Sequence, residues 1–401
     1  MKSKMAATKA IFIVGAKRTP FCSYGGPLRE LPASHVFAAA AKEAIQSANL
    51  DPALIDNTVV GNVNFLSQCD GGKTPRYCGI YSGVPLVSPA LGVSKAYGTG
   101  LQAIINSALD IIIGNSKITL TGGTDLMSSL PMLVRNVRFG TALGTSYKLE
   151  DHIQKLQPDS YTGKTLQAMA EDLAKRFGVT RKDVDEFAVQ SHLKWRKAQD
   201  SKAFDEEVVT VTASIKKKQV VVTTDELPQP AITSEDLNKI PALLEDGDVI
   251  TSGNSAVPAD GAAALIITDE DSIRNHNLQP LARIAGWSCV GVDPLDDGIA
   301  GIHAIRRLLE EQKLSLDDVD LFEINENFAS QALIASKELK LDLNKVNVSG
   351  GALAMGDPVS ATGARLVTHL VHELRRRNLK RGIAASNCGG GQGIAVLLEK
   401  M

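Results

Sequence analysis

The chain has 401 residues, too many for a single simple core, and its length predicts two or three domains with room for a buried site. Hydrophobic residues make up 44% of it and the formal net charge is -2, so no basic excess favours nucleic-acid binding, and small-molecule chemistry is the expectation. Five scattered cysteines without a CxxC pair favour a reducing compartment, mitochondrial or cytoplasmic.

The opening ten residues are basic and rich in alanine but contain no long apolar run. This pattern fits either a weak mitochondrial targeting segment or a frayed end, and it argues against secretion. No apolar stretch elsewhere approaches the length of a membrane span, so we expect no membrane-spanning helix.

Strands and helices are expected to alternate along the first third of the chain. The apolar patterns predict strands at 10–14, 57–62 and 118–123, and helices at 35–48 and from the Tyr97 turn to Ile113. Ser34 is the expected cap of the first helix, and the third strand is expected to enter a glycine turn at Gly122 and Gly123. This alternation predicts a mainly parallel sheet.

The second half of the chain repeats the first. Residues 314–324 have the same helix, loop and strand pattern as residues 50–60. The turn at 361–363, the long helix at 364–377 and a strand ending at 389–391 correspond to the glycine turn at 98–100, its helix and its following strand. Two copies of one βαβαβ unit would bring both glycine turns to one central cleft.

Residues 128–251 differ in character from both halves. They predict charged helices at 164–177 and 181–199 and a lysine-rich strand at 215–223, which together read as an inserted cover. The resulting domain prediction is a first half at 1–127 plus 252–277, a loop domain at 128–251, and a second half at 278–401.

The turn at Tyr97 is the most informative local feature. Gly98 and Gly100 leave the bend free of bulky side chains just before an apolar helix, so backbone amides and the positive helix end can face a ligand oxyanion. Such turns commonly carry a nucleophile. The alternative is that Tyr97 only packs beside the start of a helix.

Several ordered motifs accompany these turns along the chain. They lie at 136–141, 148–151, 325–328, 350–352, 356–358, 369–377 and 389–393. Together with the duplicated halves they resemble the thiolases, and most of all the mitochondrial 3-ketoacyl-CoA thiolases. The resemblance implies a thiolase fold, in which the duplicated βαβαβ halves form a layered α/β/α/β/α core with an inserted loop domain. It also implies an acyl-CoA substrate and a homodimer or dimer of dimers, paired partly through the sheet edge of the first half.

Thiolases transfer acyl groups through an acylated cysteine, a histidine, an asparagine-held water and a second cysteine. The resemblance places Tyr97 at the nucleophile, Asp357 at the histidine and Asn387 at the second cysteine, while Asn325 is retained. It also places the amide of Gly389 beside the reacting oxygen. Because a phenol is a poorer nucleophile and leaving group than a thiolate, we expect ordinary thiolase activity to be absent or vestigial.

Cys388 adjoins the predicted second-cysteine position. Successive side chains of a strand point to opposite faces, so Cys388 should turn away from the cleft that Asn387 enters and serve as a packing residue. None of the seven histidines lies in a glycine-turn motif, so no Cys/His or Ser/His pair is visible.

The expected substrate contacts are also altered. By resemblance, Ser255, Ala256, Phe328 and Met355 line the acyl-CoA site. Ala256 and Val257 replace the family's serine and glycine, and Gln229 replaces an adenine-contacting arginine. These changes predict a weakened CoA site, although lysines within 202–218 could still attract phosphates.

Asp297 stands where the family has an apolar pocket residue. With Asp357 it would form an acidic pocket that shares a proton, acts as acid and base, or holds an amine or a divalent cation. The alternative for Asp296 and Asp297 is a solvated loop.

Three functional hypotheses follow from these residues. The first is a repurposed enzyme of acyl or lipid metabolism that uses Tyr97 and Asp357. The second is a non-catalytic protein that binds acyl-CoA or another subunit. The third and least favoured is an active thiolase that uses a shifted cysteine.

Overall fold

The computed structural model describes residues 9–65, 70–151, 153, 158–229 and 231–401. Residues 1–8 of the suggested targeting segment, together with Cys69 and His152, lie outside the described residues. Within them, no helix is long and apolar enough to cross a membrane.

The structure contains helices and strands in alternation. The helices are α1 Ala33–Ser47, α2 Thr74–Tyr81, α3 Thr99–Ile112, α4 Leu166–Arg176, α5 Arg181–Asp200, α6 Ser234–Asn238, α7 Glu270–His276, α8 Ala300–Gln312, α9 Ala329–Glu338, α10 Ala352–Met355 and α11 Ser360–Arg376. The strands are β1 Ile11–Arg18, β2 Cys22–Ser23, β3 Asn57–Gly61, β4 Ala90–Val93, β5 Ile118–Leu126, β6 Met132–Leu133, β7 Glu150–Asp151, β8 Val211–Ile215, β9 Lys218–Val222, β10 Ala259–Asp269, β11 Ala282–Gly291, β12 Leu321–Ile324, β13 Arg381–Asn387 and β14 Gln392–Lys400.

The largest sheet has the strand order β12-β13-β14-β11-β1-β10-β5-β3-β4, with β2 beside β10. Each half has the same pattern: β1, β10, β5 and β3 in the first correspond to β11, β14, β13 and β12 in the second. In both halves the first two pairings are antiparallel and the third is parallel. The duplication predicted from the sequence is therefore present in the strand order.

The prediction of a mainly parallel sheet is wrong. The parallel pairs are β3–β4, β3–β5 and β12–β13, whereas β1, β10, β11 and β14 pair antiparallel with their neighbours. The equivalent links of the two halves differ in length. In the second half a short glycine turn joins β13 to β14, and in the first half the corresponding link from β5 to β10 contains residues 128–251.

Helices α3 and α11 lie between the two halves. Their apolar faces share one buried cluster with strand residues of both halves. Helices α1 and α2 cover the outer face of the first half, and α8 and α9 cover that of the second. This arrangement confirms the predicted layered thiolase-type fold.

Glycines at the centre of the molecule allow close packing between elements. A Cβ on Gly100 would collide with the backbone of α11 near Ala364 and Ser360, and a Cβ on Gly363 would lie 2.7 Å from the amide nitrogen of Leu101. A Cβ on Gly123 would likewise meet the carbonyl oxygen of Ser360. These residues are glycine because backbone approaches backbone across the layers.

Three local predictions are therefore corrected. Gly122 and Gly123 lie inside β5 rather than in a turn, and residues 361–363 form the first turn of α11, which begins at Ser360. Ser34 does not cap α1, because the helix begins at Ala33 after Pro32 and the Ser34 side chain is buried within it.

Buried ions attach the segment between β5 and β10 to the core. The guanidinium of Arg18 on β1 donates to Glu207 at 2.8 Å and to Asp225 at 2.6 Å and 3.0 Å. The other oxygen of Glu207 is 2.8 Å from Nδ1 of His369 on α11. All four groups are buried, so the segment between β5 and β10 is joined to α11 by a buried charge network.

Candidate functional site

The Tyr97 turn links β4 to the first turn of α3. The amide of Lys95 donates to Oγ1 of Thr99 at 2.7 Å, and Ala96 adopts a positive φ of 44°. No side chain caps the helix at Gly98, and the amide of Thr99 donates to the carbonyl oxygen of Ala96 at 3.1 Å. Tyr97 itself is partly exposed at this bend.

A chain of polar side chains leads from Tyr97 into the interior. Asn327 hydrogen-bonds the Tyr97 hydroxyl, and Nδ2 of Asn325 donates to Oδ1 of Asn327 at 2.8 Å. Asn325 also hydrogen-bonds Asp357. The structure thus brings together three of the predicted site residues, Tyr97, Asn325 and Asp357, in one cleft between the two halves.

Asp357 is buried immediately after Gly356, whose φ of 82° favours glycine. Its Oδ1 accepts a hydrogen bond from Oγ1 of Thr362 at 2.5 Å, while its buried Oδ2 has no hydrogen-bond partner. Burial raises the pKa of the Asp357 carboxyl, and the bonds from Thr362 and Asn325 and the charge of Arg365 only partly oppose that rise. Asp357 is therefore suited to exchanging a proton.

The pKa of Tyr97 is shifted in the same direction as that of Asp357. Burial raises the pKa of its hydroxyl above the ordinary value, and the negative charges of Asp357 and then Asp297 raise it further. The hydroxyl is therefore a neutral phenol near neutral pH, able to donate a hydrogen bond.

The segment before β10 contacts two sides of the cleft. The amide of Ala256 donates to the carbonyl oxygen of Asn327 at 2.9 Å, and the amide of Asp357 donates to that of Val257 at 2.9 Å. The hydroxyl of Ser255 donates to the carbonyl oxygen of Thr251 at 2.6 Å. This segment therefore sets the spacing between the Asn327 loop and Asp357.

Two other predicted substrate contacts are largely enclosed by protein. Phe328 packs in the outer core of the second half. Met355 packs in a cluster with Trp195 and Phe204, and its sulphur is 3.9 Å from the guanidinium of Arg18. Both support the cleft from behind.

Asn387 has a structural role at the start of α8. Its Oδ1 accepts from the amide of Gly301 at 2.8 Å, and its Nδ2 donates to the carbonyl oxygen of Gly298 at 2.9 Å. A longer contact of 3.4 Å reaches Gln331. The side chain thus ties β13 to α8, and its catalytic role stays a prediction.

Asp297 lies against the triple-glycine turn. Its Oδ1 accepts from the amide of Gly391 at 3.0 Å, and the amides of Gln392 and Gly389 also hydrogen-bond the carboxylate. The residue is buried, so the solvated-loop alternative is wrong for Asp297, whereas the partly exposed Asp296 pairs with Arg176 at 2.6 Å.

Cys388 is buried among apolar residues between the halves. Its sulphur touches Gly98, where a Cβ would collide with it. Burial raises the pKa of this thiol to about 12, despite the nearby Lys95. These observations agree with a packing role.

The described residues contain no group of three or more His, Cys, Asp or Glu side chains able to hold a metal ion. Neither Asp297 nor Asp357 therefore belongs to a larger group of such side chains. The lysines at 202 and 216–218 are exposed, as a phosphate-attracting surface requires.

A surface cavity of about 420 Å³ lies away from this cleft, between α5 and α9. Apolar walls from Phe187 and Leu333 alternate there with charges of both signs, including Glu186 and Lys194. Neither Tyr97 nor Asp357 lines it, so the polar chain, rather than this cavity, defines the candidate active site.

Sequence reasoning missed two contributors to the polar chain. Asn327 and Thr362 were visible only as members of motifs, without a role of their own. The spacing of Asn325 and Asn327 in a loop after a strand was the available signal for Asn327. The contact of Thr362 with Asp357 required knowing that α11 begins at Ser360.

Comparison with known proteins finds two matching family models and several similar proteins. Residues 11–271 match the family described as Thiolase, N-terminal domain, and residues 278–400 match Thiolase, C-terminal domain. The 3-ketoacyl-CoA thiolase, mitochondrial, of Bos taurus is 41% identical over 395 residues, covering 98% of this chain and 99% of that protein.

Comparison with solved structures also finds thiolases that are similar to this chain. The crystal structure of human mitochondrial 3-ketoacyl-CoA thiolase has a TM-score of 0.95 and 39% identity, covering 99% of this chain and 100% of that one. The structure of the human enzyme in complex with CoA has a TM-score of 0.94 and 40% identity, covering 98% of each chain.

These relatives contradict the expectation that ordinary thiolase chemistry has been lost. That expectation rested on a few side chains placed by motif resemblance. The similarity extends along nearly the whole chain to proteins named for the activity.

Proposed function

Because this chain belongs to the thiolase family, we propose that it is an acyltransferase that cleaves or forms 3-ketoacyl-CoA thioesters. The observation that carries the proposal is the polar chain from Tyr97 through Asn327 and Asn325 to Asp357. It lies at the amino end of α3, in a chain that matches thiolases over nearly all of its length.

Cleavage breaks the bond between C2 and C3 of the substrate. The thiol of free CoA adds to the C3 carbonyl, the new thioester forms there, and the carbanion left at C2 takes up a proton. The CoA thiol supplies the nucleophile in this proposal, because the Tyr97 hydroxyl stays protonated and the Cys388 thiol is buried with a raised pKa.

The site residues divide the remaining work. Asp357, with a raised pKa and a free Oδ2, carries the proton between the CoA thiol and C2. Tyr97 and the positive amino end of α3 stabilise negative charge on the substrate oxygen, and Asn325 orients Tyr97 through Asn327. Asn387 and Gly389 hold the far side of the cleft in place.

The test is a thiolysis assay with purified protein, CoA and acetoacetyl-CoA or a longer 3-ketoacyl-CoA. We expect acetyl-CoA and the shortened acyl-CoA as products. Asp357→Asn should lower kcat by ~10²-fold or more, the usual contribution of a general acid or base. The matched control Asp296→Asn removes a carboxylate that pairs with Arg176 outside the polar chain, and it should keep wild-type activity.

Two outcomes contradict the proposal. Binding of both substrates without any turnover would remove the acyltransferase assignment. Turnover that survives Asp357→Asn but disappears in Cys388→Ser would move the chemistry to the sulphur of Cys388.

The assembly is proposed from the edge of the sheet. Strand β4 ends the sheet order, and Leu86, Val87 and Leu91 beside or within it are exposed apolar residues. We propose a homodimer or a dimer of dimers through this edge. Light scattering should give a dimer or tetramer mass, and Leu91→Lys should shift it toward the monomer; an unchanged monomer mass would oppose the proposal.

Domain organisation and location follow the same family logic. Residues 128–251 are proposed to cover the cleft between the halves at 1–127 plus 252–277 and 278–401. The relatives are named as mitochondrial, which supports a mitochondrial rather than a cytoplasmic location. Imaging a tagged chain with and without residues 1–8 tests whether that segment directs it.

A further inference from the structure

The triple-glycine turn forms a concave set of backbone donors. Gly389, Gly390 and Gly391 have φ values of 83°, 65° and 74°, all in the left-handed region. The backbone amides of this turn and of Gln392 that face the Asp297 carboxylate are called the glycine nest below. A Cβ on Gly391 would lie 2.5 Å from the carbonyl oxygen of Val292, so the segment before α8 is pressed against this turn.

The nest already contains an anion of the chain itself. The carboxylate of Asp297 receives the amide of Gly391 at 3.0 Å, together with those of Gln392 and Gly389. Asp297 lies in a short 3-10 segment, Pro294–Ile299, which leads directly into α8.

This occupied nest adjoins the reacting end of the cleft. The charge of Asp297 acts on the Tyr97 hydroxyl, and Gly389 lies against Ala96, where a Cβ would be 3.5 Å from the Ala96 side chain. A carbonyl oxygen that enters beside Tyr97 therefore meets amides that already bond a carboxylate.

We propose that Asp297 is a specificity-determining residue whose carboxylate is a resident anion of the glycine nest, which the carbonyl oxygen of a bound 3-ketoacyl-CoA must displace. The inference rests on the proposed function for the identity of the ligand. Its physical basis is competition: the same backbone donors cannot fully bond both acceptors, and an ionised acceptor is bonded more strongly than a neutral carbonyl.

Replacing Asp297 with asparagine tests this competition. The amide keeps the size and one acceptor oxygen of the carboxylate but loses its charge, so the substrate oxygen should displace it more easily. We expect Asp297→Asn to bind acetoacetyl-CoA about tenfold more tightly than wild type in calorimetry, in line with the weaker bond of a neutral acceptor. Asp296→Asn, the neighbouring carboxylate outside the nest, should bind like wild type.

A second measurement uses the unaltered protein. With ¹⁵N-glycine labelling, saturating acetoacetyl-CoA should shift the amide resonances of Gly389 and Gly391, because their acceptor changes from Asp297 to the ligand. Unmoved resonances, equal or weaker binding by Asp297→Asn, or binding by neither protein would overturn the inference. Tighter binding without turnover would support it while refuting the acyltransferase function, so the two failures are distinguishable.

Discussion

Glu207→Gln removes the central charge of the buried network that joins the segment between β5 and β10 to α11. Both carboxylate oxygens are used, one by Arg18 and one by His369, each at 2.8 Å. Glutamine keeps the volume of the side chain but has only one acceptor oxygen. Its amide NH₂ group would face either the Arg18 guanidinium or the His369 ring nitrogen, which are themselves donors. The change therefore leaves a buried charge without its partner.

The magnitude follows from burial. Removing one partner of a buried ion pair costs roughly 3–5 kcal/mol, and Arg18 keeps Asp225, so we expect the lower end, about 3 kcal/mol. At ~2.1 cal/mol/K of unfolding entropy per residue, a chain of 401 residues has about 0.8 kcal/mol/K in total, so the Tm should fall by about 4 °C. The assay is thermal unfolding, with the exposed neighbour Glu206→Gln as matched control.

The same network gives a pH dependence. Burial alone would raise the pKa of Glu207, but His369 and Arg18 lower it to a net value below the ordinary one. Its contribution to stability is therefore present above the unfolded pKa and is lost as pH falls through the folded pKa. Burial lowers the pKa of His369, but the charges of Glu207 and Glu323 raise it by more. The net pKa is therefore above the ordinary value of 6.5.

The His369 contribution is present below its unfolded pKa and is lost as pH rises through the folded pKa. Wild type should thus lose stability on both sides of an optimum, and Glu207→Gln should flatten both sides. If Glu207→Gln and Glu206→Gln melt together and show the same pH profile, the buried-network reasoning is refuted.

Three further changes test separate features. Gly100→Ala should cost ~1–3 kcal/mol by forcing α3 from α11, whereas Gly291→Ala, in open space, should leave the Tm unchanged; equal Tm values would refute the close crossing. Asp357→Asn should lower the pH at which the Tyr97 hydroxyl ionises, measured by alkaline absorbance titration against a Tyr97→Phe background; an unchanged midpoint would separate the two groups. Thr180→Ala should cost ~1 kcal/mol of unfolding free energy by removing the capping box of α5, and an unchanged urea midpoint would contradict it.

Much of the fold could be predicted because the duplication repeats the same pattern of elements in the sequence. The short helical turn and strand at 52–61 recur at 316–324, as the repeated pattern predicted. Strand direction could not be read in the same way, because an apolar run does not identify its partner. Thus β10 and β14, both almost wholly buried, separate strands that a simple βαβ pattern would place side by side.

The site could be predicted where the position of the backbone alone decides which side chains come together. Tyr97, Asn325 and Asp357 each follow a strand or glycine turn that the duplicated frame brings to the cleft, and they do meet there. Asn387 also follows a strand that ends near the cleft, yet its side-chain amide is hydrogen-bonded to the backbone of Gly301 and Gly298. Which hydrogen bonds a side chain makes depends on the neighbouring element, and sequence spacing does not contain that information.

Gly100 explains why the sequence around the Tyr97 turn predicts something different from what the structure contains. In the sequence it reads as part of a flexible bend, which favours a loop-borne site. In the structure it lets α3 touch α11, whose Thr362 bonds Asp357. The contact that packs the two halves therefore also sets the distance between Tyr97 and Asp357. A substitution there should alter stability and chemistry together, since one helix crossing supports both.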